Sequence, residues 1–315
     1  MKKHRRFIGC VWLGWIWAGA AVVTCAAPAP SGPLPARKDV EAALARPAGV
    51  RPSPQRLRIV LLADKKDHGP EAHDYPLWQQ RWALLLGGRN ISTATQVNLY
   101  GPPAADPQTS AGASNVEVLC ANGWPTESQF ATADVIVAFC YLVWNEERRQ
   151  QVKRYSDRGG GLVLIHAATW TKPKPDPEVA ALTGVGGFTR YRHGPVQLEV
   201  TAADHPICKG LPRQLVFEDE TYWPPTPPID PSRVTVLAVS REKTEAVGEQ
   251  TPPQPIFWTS QTGRGRVFGC VLGHYTWTFD DPWFRILLLR GIAWSATQPV
   301  ERLDPLVLRG ARVAP

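Results

Sequence analysis

Gly159-Gly160-Gly161-Leu162-Val163-Leu164-Ile165-His166-Ala167-Ala168-Thr169-Trp170 is the stretch that decides the fold. A glycine turn feeds an unbroken apolar run, and the run ends on a histidine followed by small residues. Continuous apolar character bounded by turn residues reads as a strand buried on both faces of a parallel sheet. Ligands of open α/β sheets bind beyond the carboxyl ends of such strands, which is where His166 falls. Ala167 and Ala168 allow a sharp turn there, comparable to the nucleophile elbow of hydrolases, but with an imidazole in place of Ser or Cys.

Working outward, residues 57–64 form a first apolar strand, which runs into a polar, ligand-type loop at 65–75. Pro76 suits a helix's first turn, and Leu77, Trp78, Arg81, Trp82, Leu84 and Leu85 give a helical stripe closed by Gly87 and Gly88. Residues 91–115 lack a sustained period and read as a surface insertion. A short strand at 116–119, a short helix from Gly123, a strand at 134–140 and an exposed helix at 146–158 lead into the opening stretch. Strands alternating with helices at this pitch predict a doubly wound, mostly parallel sheet. Beyond His166 the pattern turns β-rich, with strands at 196–200, 216–223, 234–240, 256–260 and 266–272. It closes on an apolar helix at 283–296, so the whole reads as one α/β domain with a β-rich appendage.

The first 27 residues read as a signal peptide: a basic start, then roughly 17 apolar residues, then small ones. They predict a secreted or periplasmic protein, with a lipid anchor on Cys25 or an uncleaved anchor as the minor alternatives, and no membrane span follows the leader. Residues 28–55, rich in Pro and Ala, read as a linker, 56–302 as the domain and 303–315 as a C-terminal tail. Of the net charge of +7, Lys2, Lys3, Arg5 and Arg6 supply four, leaving +3, too little to argue for nucleic acid as a partner. Cys120, Cys140, Cys208 and Cys270 are scattered without a CxxC pair, so no zinc knuckle is indicated. Cys140 and Cys270 read as buried free thiols, although an oxidising compartment permits a disulfide among the four. No dinucleotide or phosphate-loop fingerprint occurs, because Gly159-Gly160-Gly161 precedes a strand instead of following one.

Taken in order, the loop at 65–75, the strand at 133–140, residues 159–169, Arg192-His193-Gly194-Pro195, His205-Pro206, Asp219-Glu220-Thr221-Tyr222 and residues 265–294 resemble the ThuA-like family. That family is named for trehalose utilisation, and the resemblance covers nearly everything from Leu57 to Arg302. It implies a flavodoxin-like, doubly wound sheet of the class I glutamine amidotransferase type, and a sugar or oxidised sugar derivative as the small-molecule ligand. Amidotransferases of this fold carry a Cys nucleophile at the elbow and a His near the sheet's carboxyl end. The matching positions here hold His166 and His274. An imidazole cannot form the glutamyl thioester, so the resemblance implies the fold without glutamine amidotransferase activity.

His166, His274, Glu220 and His193 are the candidate catalytic residues, because imidazoles and a carboxylate at strand ends can carry protons. Each also admits a structural role, a histidine bonded to backbone or an acid paired with Arg190 or Arg192. Lys66, His68, His73, Asp219, Tyr222, Tyr275 and Trp277 are the candidate substrate-binding residues, the aromatics because a flat ring stacks on the C–H face of a pyranose. His68 and His73, among Lys66, Asp67, Glu71 and Asp74, could also hold a divalent metal, though their spacing matches no zinc signature. His205, in a proline turn, reads as structural. Two readings follow: an enzyme of His/Glu acid–base chemistry on a sugar derivative, and a non-catalytic sugar- or ligand-binding module on the same pocket. Substrate, metal and oligomeric state stay open at this level.

Overall fold

The structure, a computed structural model, describes residues 30, 32–45, 55–87, 94–103, 112–243 and 249–314. The expected leader lies outside them, as do parts of the expected linker and insertion. Nine strands form one sheet. Its parallel half comprises β1 (Leu57–Ala63), β2 (Val116–Asn122), β3 (Val135–Ala138), β4 (Gly161–Ile165) and β9 (Gly265–Cys270), in the order β2-β1-β3-β4-β9. Every residue of β3 and β4 is buried, as their continuous apolar runs require.

The β-rich region is no appendage. Strands β5 (Phe188–Val200), β6 (Gln214–Pro225), β7 (Val234–Ser240) and β8 (Gln254–Thr262) extend the same sheet antiparallel, in the order β9-β8-β7-β5-β6. Their edges pair with the existing sheet instead of closing on themselves, so one continuous core runs beneath both halves.

Helix α2 (Tyr75–Gly87) packs on β1 and β2, and α6 (Pro282–Ser295) packs on β3, β4 and β9. Helix α3 (Glu127–Thr132) starts on a Thr126 capping box. Helix α4 (Glu146–Asp157) is capped by Asn145 and closed by Gly159, with φ 102°, and the short α5 (Pro177–Thr183) is capped by Asp176. Gly161 is required by close approach: a Cβ there would stand 2.2 Å from the Ser295 carbonyl oxygen of α6. The glycine turn that opens β4 is thus also the contact that seats α6 on the sheet.

Both expected loose ends pack on the domain. In the linker region, α1 (Arg37–Ala43) buries Val40 completely, and Ala36 bridges to Ala314. In the tail, Leu303, Leu306 and Val307 are buried. Arg290 of α6 ties them together, pairing with Asp304 at 3.0 Å and donating to the carbonyls of Ala43 and Lys209. The insertion is anchored as well: Asp280 accepts the Leu99 and Tyr100 N–H groups, and Val97 is fully buried. Buried apolar residues every three or four positions, Leu303, Leu306 and Val307 among them, were the available signal for the tail. Among the described residues no helix is long and apolar enough to cross a membrane.

Candidate active site

Strands β4 and β9 run parallel with Ile165 opposite Cys270, so the segments leaving their carboxyl ends emerge side by side. His166 leaves β4 at φ 49°, in the left-handed region, and begins a 3-10 turn through Thr169. Gly273, at φ 122°, turns the chain after β9 and presents His274. His73 comes from the loop after β1, also at positive φ, and its N–H donates to the His274 carbonyl at 2.9 Å. Strained backbone at His73 and His166 is held because burial and hydrogen bonds over-determine both positions.

The three imidazoles converge. His166 Nε2 lies 2.9 Å from His73 Nε2 and 3.2 Å from His274 Nδ1. The same atom lies 2.8 Å from the Tyr222 hydroxyl and 3.1 Å from Glu220 Oε2. His274 Nδ1 is 2.8 Å from Glu220 Oε2. The long β5–β6 hairpin supplies the last residues, its register setting His193 opposite Glu220 and Tyr191 opposite Tyr222. His193 Nε2 stands 3.6 Å from Glu220 Oε1, and its Nδ1 is 3.2 Å from the Tyr275 hydroxyl.

Electrostatics follow from burial. Burial and the imidazoles of His166 and His274 hold the His73 pKa far below the usual histidine value. Burial pushes His274 down to about 4, against the raising effect of the neighbouring Glu220 carboxylate. Burial alone would raise the Glu220 carboxyl, but the close imidazoles of His166 and His274 outweigh it and hold it below the usual carboxylate range. Two neutral imidazoles beside one charged carboxylate is the resulting state at neutral pH.

The four candidate catalytic residues are thus brought together, and His73, expected to bind substrate, joins them. Three other expected binding residues serve as supports. Asp219, fully buried, accepts the backbone N–H groups of Gly273 and His274 at 2.9 Å each and of Glu220 at 2.7 Å. It therefore shapes the turn that presents His274 instead of meeting a ligand. Lys66 bonds the Ala72 carbonyl and Asp74, closing its own loop. Trp277, 3% exposed, donates to the Glu218 carbonyl and stacks on Tyr275 at 4.2 Å.

The rings expected as a sugar platform, Tyr222, Tyr275 and Trp277, are buried, and Tyr222 stacks on His166 with its ring centre 4.7 Å away. Tyr191 beside the cluster is an exposed aromatic ring, with Trp170 and His193 as its neighbours. It was not singled out in the sequence; its alternation with His193 along β5 is the signal that could have found it. His68, half-exposed, lies against His73 with ring centres 3.8 Å apart.

Arg192 does not pair with Asp219 or Glu220 but with buried Glu242, at 2.5 Å. Asp67, one of the acids of the expected ligand loop, and Tyr75, not singled out in the sequence, both lie against His73 Nδ1, at 3.0 and 2.7 Å. His205 accepts the Ile207 N–H in its turn, a structural role as expected. The four described cysteines are free, and Cys140, Cys208 and Cys270 are buried. Burial raises Cys140 to about 12, which leaves its thiol protonated at the end of β3.

Comparison with known proteins places this geometry in a family. A search of curated proteins found no match. The fold is similar to that of a protein from Bacteroides uniformis described as ThuA-like, with a TM-score of 0.55 and 20% identity, over 80% of this chain and 95% of that one. A second ThuA-like structure, from Parabacteroides merdae, gives a TM-score of 0.50 and 20% identity over 77% and 91%. The family model for ThuA, described as trehalose utilisation, matches residues 103–295. His166, His193, Glu220 and His274 lie inside the match, whereas His73 precedes it. The chain is a member of the ThuA family.

Proposed function

We propose that the chain is an exported enzyme of carbohydrate utilisation that performs acid–base chemistry on a sugar or an oxidised sugar derivative. The observation that carries the proposal is the convergence of His73, His166, His274 and Glu220 beside the exposed His193 and Tyr191 of β5. Family membership supports the carbohydrate role, and the basic and apolar character of the first 27 residues supports export. The order β2-β1-β3-β4-β9 supports the flavodoxin-like, amidotransferase-like reading of the parallel half.

Glu220 faces two ways. Its Oε2 belongs to the buried cluster, and its Oε1 looks outward to His193, whose side chain is 43% exposed. His193 is therefore a solvent-facing imidazole that an arriving ligand reaches before the buried cluster, with the Glu220 carboxylate 3.6 Å behind it. Tyr191 offers an open ring face on the same strand, two residues away, suited to the C–H face of a sugar ring.

Turnover of a panel of oxidised and unmodified disaccharides by the purified protein tests the reading. His193→Gln should lower kcat by about 10²–10⁴-fold with unchanged circular dichroism, the usual contribution of a positioned proton carrier. Tyr191→Ala should raise KM and leave kcat close to that of the parent. Sugar binding without turnover in the parent protein would instead favour the non-catalytic binding module. Unaltered turnover in His193→Gln would remove the catalytic assignment.

A further inference from the structure

The geometry points to a divalent transition-metal site formed by His73 Nε2, His166 Nε2, His274 Nδ1 and Glu220 Oε2. This inference deepens the functional reading above, because it places an ion among the same buried residues. These four donor atoms lie within 4.8 Å of one another, and all four residues are buried. Donors about 2.0–2.1 Å from a tetrahedral ion stand roughly 3.3 Å apart. The observed separations among them include 2.8, 2.9, 3.1 and 3.2 Å.

Proton placement argues the same way. His166 Nδ1 is 2.6 Å from the Val271 carbonyl, which can only accept, so Nδ1 carries a proton and Nε2 is the nitrogen left to offer a lone pair to an ion. His73 Nδ1 faces the Asp67 carboxylate at 3.0 Å, and a carboxylate likewise only accepts. With Nδ1–H donated to Asp67, His73 Nε2 presents a second lone pair, aimed at the first from 2.9 Å. A cation between them would relieve the repulsion of two facing lone pairs. The competing, metal-free arrangement donates His73 Nε2–H to His166 while the Tyr75 hydroxyl, 2.7 Å away, donates to His73 Nδ1, so metal content decides between the two.

The outer contacts follow the usual pattern of metal-bound histidines, in which the second ring nitrogen donates to a carboxylate or a backbone carbonyl. Asp67 serves His73, and the Val271 carbonyl serves His166. Tyr75 supports Asp67 by donating to its Oδ2 at 3.2 Å, and Tyr222 donates to Glu220 Oε2 at 3.2 Å. Three imidazole nitrogens with one carboxylate oxygen select a first-row transition ion over Mg²⁺ or Ca²⁺, which prefer all-oxygen sets. An ion held there would polarise a substrate oxygen or acidify a bound water.

The test is metal content of the untagged full chain, followed by melting and calorimetric titration after EDTA treatment. About one equivalent of a first-row divalent ion should be retained, and Zn²⁺ or Mn²⁺ but not Mg²⁺ should raise the Tm of the stripped protein. Glu220→Gln should weaken ion binding by more than the roughly 10–100-fold expected from losing an outer partner, and Asp67→Asn by about that amount. Asp67 lies partly exposed, so its variant reports on the site even if ligand variants fail to fold. No retained metal together with no Tm response to Zn²⁺ or Mn²⁺ overturns the site, as does unaltered ion affinity in Glu220→Gln. A metal-free protein that still turns over a sugar would sink this inference alone. A metal-loaded protein inert toward every sugar would sink the functional reading and leave the site standing.

Discussion

The Nε2 atoms of His73 and His166 lie 2.9 Å apart although 93 positions separate the two residues in the chain. The strand order produces this proximity. β1 and β4 both flank β3 in a parallel sheet, so the loops leaving their carboxyl ends project from one edge. His274 reaches the same point from β9, on the far side of β4. Three loops separated in sequence thus share one small volume, as ligand sites at the ends of parallel strands do.

Asp219 is expected to be a positioning residue for His274. Its carboxylate collects three backbone N–H groups, two of them at the turn that carries the imidazole. Asp219→Asn keeps one acceptor oxygen and places an N–H₂ group where the other stood. The expected cost is about 1–3 kcal/mol, from an unsatisfied buried donor and lost bonds. Urea unfolding measures it; an unchanged midpoint would show that the turn holds without the carboxylate.

Acid should weaken the metal-free protein through His274. Its pKa is pushed down to about 4 by burial, against an ordinary value of 6.5. Between these values the unfolded chain binds a proton at this residue and the folded chain does not. The stability from neutral His274 is therefore complete above pH 6.5 and is lost as pH falls toward 4. Comparing EDTA-treated wild type with His274→Asn isolates this residue. Between pH 6.5 and 5 wild type should lose about 2 kcal/mol more than the variant. Parallel pH profiles would mean that His274 titrates normally in the folded protein.

Arg285 should be the most sensitive position outside the site. It is fully buried, pairs with Asp280 at 2.8 Å and donates to the carbonyls of Phe279, Val307 and Arg309. Asp280 in turn holds the Leu99 and Tyr100 N–H groups, so one ion pair joins α6, the C-terminal segment and the insertion. Arg285→Met strands a buried carboxylate and should cost about 3–5 kcal/mol. Adding Asp280→Asn should recover part of that loss in a double-mutant cycle. If the double variant is no more stable than Arg285→Met, the stranded charge is not the cause.

Local pattern carried much of the fold. Unbroken apolar runs at 135–138 and 161–165 could satisfy their side chains only as strands buried on both faces, and that is how they lie. The helical stripe after Pro76 became α2, and the apolar helix near the C-terminus became α6. The strands at 196–200, 216–223, 234–240 and 256–260 were read correctly, but the early start of β5 at Phe188 and the joining of these strands to β9 were not legible. Alternation along a strand specifies which face is buried and not which edge it pairs with.

The site divided along the same line. His166 at the end of β4, and His274 after β9, were determined by the sequence alone, because a strand's period and its terminating residues are local properties. So was the absence of a cysteine nucleophile at that elbow. Only the tertiary structure decided that His73 faces His166, that Asp219 supports a turn, and that Tyr222 is a buried partner while Tyr191 is the exposed ring. Those outcomes depend on which loops share an edge of the sheet and on the His193–Glu220 register of the β5–β6 hairpin. Pairing and burial are sums over long-range contacts, and no window of neighbouring residues contains them.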